Sequence, residues 1–172
     1  MTVYQFVGPP QLWTCVPQTA RVRVQGEADV RAWARTQSPE ESLIATFVVD
    51  GHGALWIADR RSEHIACARG GRVQAAGEIE FEIGVGGVEV VGATNQSTGF
   101  CPRVESWAAL EQALDAAQLK RPSTWTRAFE FRHCEVCGAL NIVKDEWFVC
   151  ATCDADLPEE WNIGNDRRDE SV

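Results

Sequence analysis

Apolar and polar positions alternate through Arg21-Val22-Arg23-Val24-Gln25, which predicts a strand. Glu27 to Gln37 carries Val30, Trp33 and Ala34 at helical spacing, and Ser38-Pro39 is expected to stop that helix. Leu43 to Val49 is a continuous apolar, β-branched run. Asp50-Gly51-His52-Gly53 and a second short run, Ala54 to Ala58, follow it, which predicts a hairpin. Glu63 to Ala68 reads as a further strand, closed by the turn Arg69-Gly70-Gly71. From Glu78 to Val85 the alternation is clean. Phe81, Ile83 and Val85 share one face and Glu78, Glu80 and Glu82 the other, the pattern of a sheet with one side in water. Gly86-Gly87 suits a tight turn into Val88 to Val91.

Asn95 to Glu105 reads as a loop, and Ser106 is placed to cap a helix. Trp107, Leu110, Leu114 and Ala117 form one apolar stripe on that helix, with Glu111, Asp115 and Gln118 outside. Pro122 ends it, and Arg121 to Thr126 reads as a linker. Ala128 to His133 alternates again, with Phe129 and Phe131 expected inward. The expected fold class is α+β. A mostly antiparallel sheet with one or two helices spans 1–126, a small module spans 127–162, and 163–172 is a polar, disordered tail.

Composition narrows the partners. The chain has 172 residues, 45% hydrophobic and 24% charged, which excludes collagen-like, coiled-coil and wholly disordered chains. Lys and Arg number 16 against 25 Asp and Glu, a net charge of -9. Such a chain has no general attraction for phosphate backbones or anionic lipid. Met1 to Pro10 lacks the features of a targeting signal, and the Leu43–Val49 run is far short of the ~20 residues that span a bilayer. The expected location is the cytoplasm, with no membrane partner.

The seven cysteines are uneven. Cys15, Cys67 and Cys101 are scattered, whereas Cys134, Cys137, Cys150 and Cys153 make two CxxC pairs with twelve residues between them. Each CxxC can form a knuckle that aims two sulfurs at one point. Ala139 to Val149 reads as a hairpin with Lys144-Asp145 at its bend, which returns the second knuckle to the first. Four thiolates then surround one ion tetrahedrally, which suits structural Zn2+ with no open coordination position. Two redox CxxC pairs and an iron–sulfur centre are the competing readings. Backbone N–H groups, with Arg132 or Lys144 near by, are expected to moderate the charge of the thiolates.

The stretch Phe131-Arg132-His133-Cys134-Glu135-Val136-Cys137-Gly138 through Asp145-Glu146-Trp147-Phe148-Val149-Cys150-Ala151-Thr152-Cys153 resembles zinc ribbons of the rubredoxin-like and ribosomal-protein-like type. The resemblance implies a fold and a metal; ribbons serve as nucleic-acid binders, protein-docking knobs and staples. A second resemblance covers 63–119. His64-Ile65-Ala66, Gly70-Gly71, Ala75-Ala76-Gly77-Glu78, Asn95-Gln96-Ser97 and Pro102 are similar to a β module of bacterial toxin-associated domains and plant IQ-motif calmodulin-binding proteins. There a hairpin leads into a Ser-Gly-His-Tyr-x-Pro loop and a helix. Here the loop is Ser97-Thr98-Gly99-Phe100-Cys101-Pro102, without the His and with Phe for Tyr. The whole chain is also similar to a group of bacterial proteins, which implies no activity.

Outside the cysteine pairs the candidates are few. Cys101 precedes a helix that could lower its pKa, with His64 or His52 as base and Asp59 as the orienting carboxylate. Pro102 follows directly and offers no N–H to an oxyanion hole. Arg60 and Arg61 could fork an anionic ligand, and Asn95 and Ser97 could add polar contacts; a solvated turn and a capped loop are the blander readings. Trp13, Trp33, Trp56 and Trp107 are expected in the core, with Trp125, Trp147 and Trp161 beside the ribbon. Nucleic-acid binding would need Arg121, Arg127, Arg132 and Lys144 to form a face that Asp145, Glu146, Asp154 and Asp156 oppose. The favoured function is a zinc-binding protein-interaction or adaptor protein whose partner is another protein. The alternative is an enzyme that uses the 59–64 and 95–101 loops on a nucleotide or protein substrate.

Overall fold

The computed structural model describes residues 1–38 and 42–168. Its strands are β1 (Thr2–Tyr4), β2 (Arg21–Arg23), β3 (Ile44–Asp50), β4 (Leu55–Asp59), β5 (Val73–Gly84), β6 (Gly87–Thr94), β7 (Glu130–His133), β8 (Leu140–Val143) and β9 (Asp166–Arg168). The α-helices are α1 (Glu27–Ala34), α2 (His64–Cys67) and α3 (Trp107–Ala116). Every pairing between named strands is antiparallel, so the protein is α+β as its sequence predicts.

The main sheet has seven strands in the order β2-β4-β3-β5-β1-β9, with β6 also on β5. β5 is twelve residues long and serves two neighbours along one edge. Its start meets β1 at Tyr4↔Val73, and its end pairs with β6 from Glu78↔Thr94 to Gly84↔Gly87. Gly77 permits the close approach: a Cβ there would lie 1.9 Å from the carbonyl oxygen of Thr94.

The Leu43–Val49 run is apolar throughout because β3 is covered on both faces. Ala45, Phe47 and Val49 join one core with α1, α3 and Trp125; Val48 joins a second with Tyr4, Ile65, Cys67 and Phe100 under α2. The expected wet face is therefore confined to the outer part of the β5–β6 hairpin, where Glu82 and Glu89 are exposed.

Several expectations are corrected. Glu63 to Ala68 is not a strand: α2 fills it, and Ile65, Ala66 and Cys67 are buried in succession. A short apolar run does not by itself separate helix from strand. The decisive feature is the stop. Gly70 N–H donates to Ile65 O and Arg69 N–H to Ala66 O, a Schellman closure with Arg69 and Gly70 both at positive φ. Ser106 does not cap α3 with its side chain; it lies in a 3-10 turn, Val104–Ser106. Val85 sits at the hairpin tip, fully exposed, and Trp13 is 47% exposed. Trp125 belongs to the main core, and Thr126 exchanges hydrogen bonds with Ala93, so 121–126 is packed on the sheet rather than a free linker. The tail is partly structured: Asp166–Arg168 pair with Thr2–Tyr4. Pro39 and residues 169–172 lie outside the described residues.

Candidate metal centre

β7 and β8 pair in register, from Glu130↔Val143 to His133↔Leu140, across the first CxxC. The chain then turns at Asp145-Glu146, closed by Lys144↔Trp147, so the bend falls one residue later than the sequence suggests. It runs back to a Val149↔Asp156 bridge around the second CxxC.

The two knuckles repeat the same bonds. Cys134 N–H donates to Ala139 O at 2.8 Å, and Gly138 N–H to Cys134 O at 2.9 Å. Sixteen residues on, Cys150 N–H donates to Ala155 O at 2.8 Å, and Asp154 N–H to Cys150 O at 3.0 Å. Gly138 at φ 78° and Asp154 at φ 58° hold the equivalent left-handed position, one by glycine and one by a tolerant polar residue. Backbone geometry, not side-chain packing, thus aims the sulfurs.

All four sulfurs lie within 4.8 Å of one another. Cys134 and Cys153 are 3.7 Å apart and Cys137 and Cys150 3.6 Å. Tetrahedral metal–sulfur bonds of about 2.3 Å set sulfurs about 3.8 Å apart, so the spacing suits one thiophilic ion. The set is compatible with a zinc-ribbon-like site. Cys134 and Cys150 are buried; Cys137 and Cys153 are exposed. The backbone N–H of Thr152, 3.4 Å from its sulfur, draws Cys150 down to about 6. Cys153 accepts from the Ala155 N–H, yet desolvation and hydrogen bonds shared with the neighbouring sulfurs push it up to about 12. Four thiols so close do not ionise together unaided; a cation at their centre would hold all of them as thiolates.

Polar braces surround the cluster, and the sequence signals none of them. Asn141 is buried; its Nδ2 donates to Ala139 O at 3.0 Å and contacts the Cys150 sulfur, while its Oδ1 accepts the Ala151 N–H at 2.9 Å. One amide therefore ties both knuckles together. Asn162 clasps His133 through its N–H and its carbonyl, at 2.9 and 2.7 Å. Arg132 does not act as a free cation for the sulfurs. Its buried guanidinium donates to carbonyls of Phe131, Pro158 and Glu159 and to Glu130, and lies 5.5 Å from the Phe148 ring.

The other candidates are dispersed. Asn95 is fully buried and ties the segment leading into β7 to the loop at Pro102: Nδ2 donates to Pro102 O and Phe129 O, and Oδ1 accepts the Phe129 N–H at 2.7 Å. Ser97 Oγ is buried and accepts from Phe100 N–H. Cys101 packs with Phe129 and Phe131, donates to Thr98 O at 3.2 Å, and is pushed up to about 12 by burial, opposite to the expected helix effect. His64 Nε2 donates to Gly77 O at 3.0 Å, and burial of its ring lowers its pKa. Asp59 closes its own turn, accepting the Arg61 N–H at 2.8 Å, while Arg60 and Arg61 are exposed. His52 lies in the β3–β4 turn, where its N–H donates to Asp50. A cleft of 320 Å³ is lined by Arg103, Phe129, Arg132 and Trp161, not by the 59–64 or 95–101 loops.

The proposed basic face does not assemble. Arg121 is held by Asp115 and Glu111 at 2.7 and 2.9 Å, Arg127 covers Phe129, and Arg132 is buried. Among the described residues, no helix is long and apolar enough to cross a membrane. Comparison with protein-family models, curated proteins and solved structures returned no match to the chain, so the reading of the centre rests on its geometry.

Proposed function

We propose that the chain is a zinc-binding protein-interaction or adaptor protein, with a four-cysteine ribbon at 127–162 carried on an α+β body at 1–126. The observation that carries this reading is the convergence of four sulfurs from two backbone-bonded knuckles. Cys134, Cys137, Cys150 and Cys153 would fill every position of a tetrahedral ion, and zinc adds no redox chemistry, so its part is to hold shape. The knuckle end of the ribbon has little else to fold it: beside Cys134 and Cys150 its apolar cluster is Leu157 with partly buried Ala139, Val143, Phe148 and Ala155, while Phe129 and Phe131 pack around Cys101 instead. Metal binding then supplies the folding free energy, about 10–16 kcal/mol in ribbon-sized zinc modules.

A non-enzymatic role is supported by the states of the rival residues. Cys101 is a buried, protonated thiol, and the Asn95 amide is spent on backbone partners. Unpaired thiols at Cys67 and Cys101 and a thiolate cage both suit a reducing compartment such as the cytoplasm.

The test is hydrogen exchange on the zinc-loaded chain before and after chelation. Loss of amide protection in β7 and β8, with β3–β5 still protected, supports the structural role. A ribbon equally protected without metal, or turnover of a substrate abolished by Cys101→Ala or His64→Ala, overturns it.

A further inference from the structure

We propose that the Lys144–Trp147 turn is the docking point for a partner protein whose surface is basic around an apolar slot. The proposal rests on the ribbon being an interaction module and names the chemistry of its partner.

Trp147 is 70% exposed. Among the described residues its ring makes no aromatic or cation–ring contact, whereas its neighbour Phe148 lies under Arg132. Folding of the ribbon therefore does not account for an indole at this position. The turn that presents it is rigid. Asp145 at φ 51° and Glu146 at φ 57° make a type I′ bend, and Trp147 N–H donates to Lys144 O at 2.8 Å. A large aromatic on a stiff turn loses little entropy when it is buried by a partner, which is why tryptophan is favoured at the centres of interfaces.

Charge selects the partner. Asp145 and Glu146 immediately precede Trp147 and are exposed, as are Glu135, Asp154 and Asp156. Lys144 is the only Lys or Arg in the sequence from Cys134 to Glu160. A phosphate backbone or an anionic membrane would be repelled. A protein face with Lys or Arg around an apolar pocket is drawn in and held in register.

The test is selection of a displayed random-peptide library on the full zinc-loaded chain, with Trp147→Ala and Val85→Ser chains alongside. Val85 is an even barer apolar residue, at the tip of the β5–β6 hairpin. The expected peptides carry Lys or Arg around an apolar residue, bind Trp147→Ala at least about tenfold more weakly, and bind Val85→Ser unchanged. Their affinity falls as salt rises. Peptides that bind Trp147→Ala equally, that lack basic residues, or that are not recovered at all overturn the proposal. Zinc content measured on the same samples separates this failure from failure of the metal-centre reading: a loaded ribbon that selects nothing contradicts only the docking site.

Discussion

The side-chain amide nitrogen of Asn141 lies 3.5 Å from the sulfur of Cys150, while the same amide holds Ala139 and Ala151, one beside each knuckle. A single neutral side chain thus donates toward a sulfur and ties the two CxxC pairs together. Asn141→Ala is expected to keep the fold but weaken metal binding about 10–100-fold. Asn141→Asp is expected to be worse, because it sets a carboxylate against the sulfurs. Competition with a chromogenic chelator measures both.

Asn95 plays the matching part at the start of β7, tying Phe129 to Pro102. Asn95→Ala leaves two carbonyls and an N–H buried without partners, and should lower stability by about 2–4 kcal/mol. Asn95→Asp still accepts from Phe129 but points a charge at two carbonyl oxygens. It should be the more damaging at neutral pH and recover as the carboxyl protonates. Denaturant midpoints at two pH values check the order.

These two asparagines show where legibility stops. The four-cysteine cluster is visible in the sequence because knuckle geometry is local, set within each CxxC and the few residues after it. The β3–β4 and β5–β6 hairpins and the α3 stripe are legible for the same reason. Asn95 and its partner Phe129 are 34 residues apart, and nothing near Asn95 announces the bond. Trp125 reads as linker because its core neighbours, Phe47 and Trp107, lie elsewhere in the chain. β9 is Asp-Arg-Arg, a strand held to β1 by backbone pairing that no apolar pattern reveals. Burial of β3 on two faces shows in its unbroken apolar run, but the alternation of β5 argues for one wet side, and only the packed helices resolve the conflict.

Cys67 and Cys101 are both pushed up to about 12 by burial, so each stays a protonated thiol at neutral pH. In the native zinc-loaded chain, iodoacetamide at pH 8 should leave both unmodified. After chelation Cys134, Cys137, Cys150 and Cys153 should react first, since no metal then holds them together. Mass spectrometry of tryptic peptides reads the order; rapid labelling of Cys101 in the native chain would contradict it.

Asp50 gives a stability term with a defined sign. Burial alone would raise its carboxyl. Trp56 Nε1–H at 2.8 Å and the N–H groups of Ala54 and His52 at 3.0 and 2.9 Å outweigh that and hold it below the ordinary 3.8. A depressed folded-state pKa stabilises above the unfolded value, and the contribution is lost as pH falls through the folded one. Asp50→Asn should cost about 1–2 kcal/mol at neutral pH, and its difference from the parent chain should shrink below pH 3.8. Hydrogen exchange in β3 and β4 follows this apart from any acid effect at the four-cysteine cluster.

The most direct test of the central claim is X-ray absorption at the zinc edge on the purified, metal-analysed chain. The tetrathiolate centre predicts one zinc per chain with four sulfurs at about 2.3 Å and no lighter neighbour in the shell. A chain without zinc, or a shell containing nitrogen or oxygen in place of any of the four sulfurs, would contradict it.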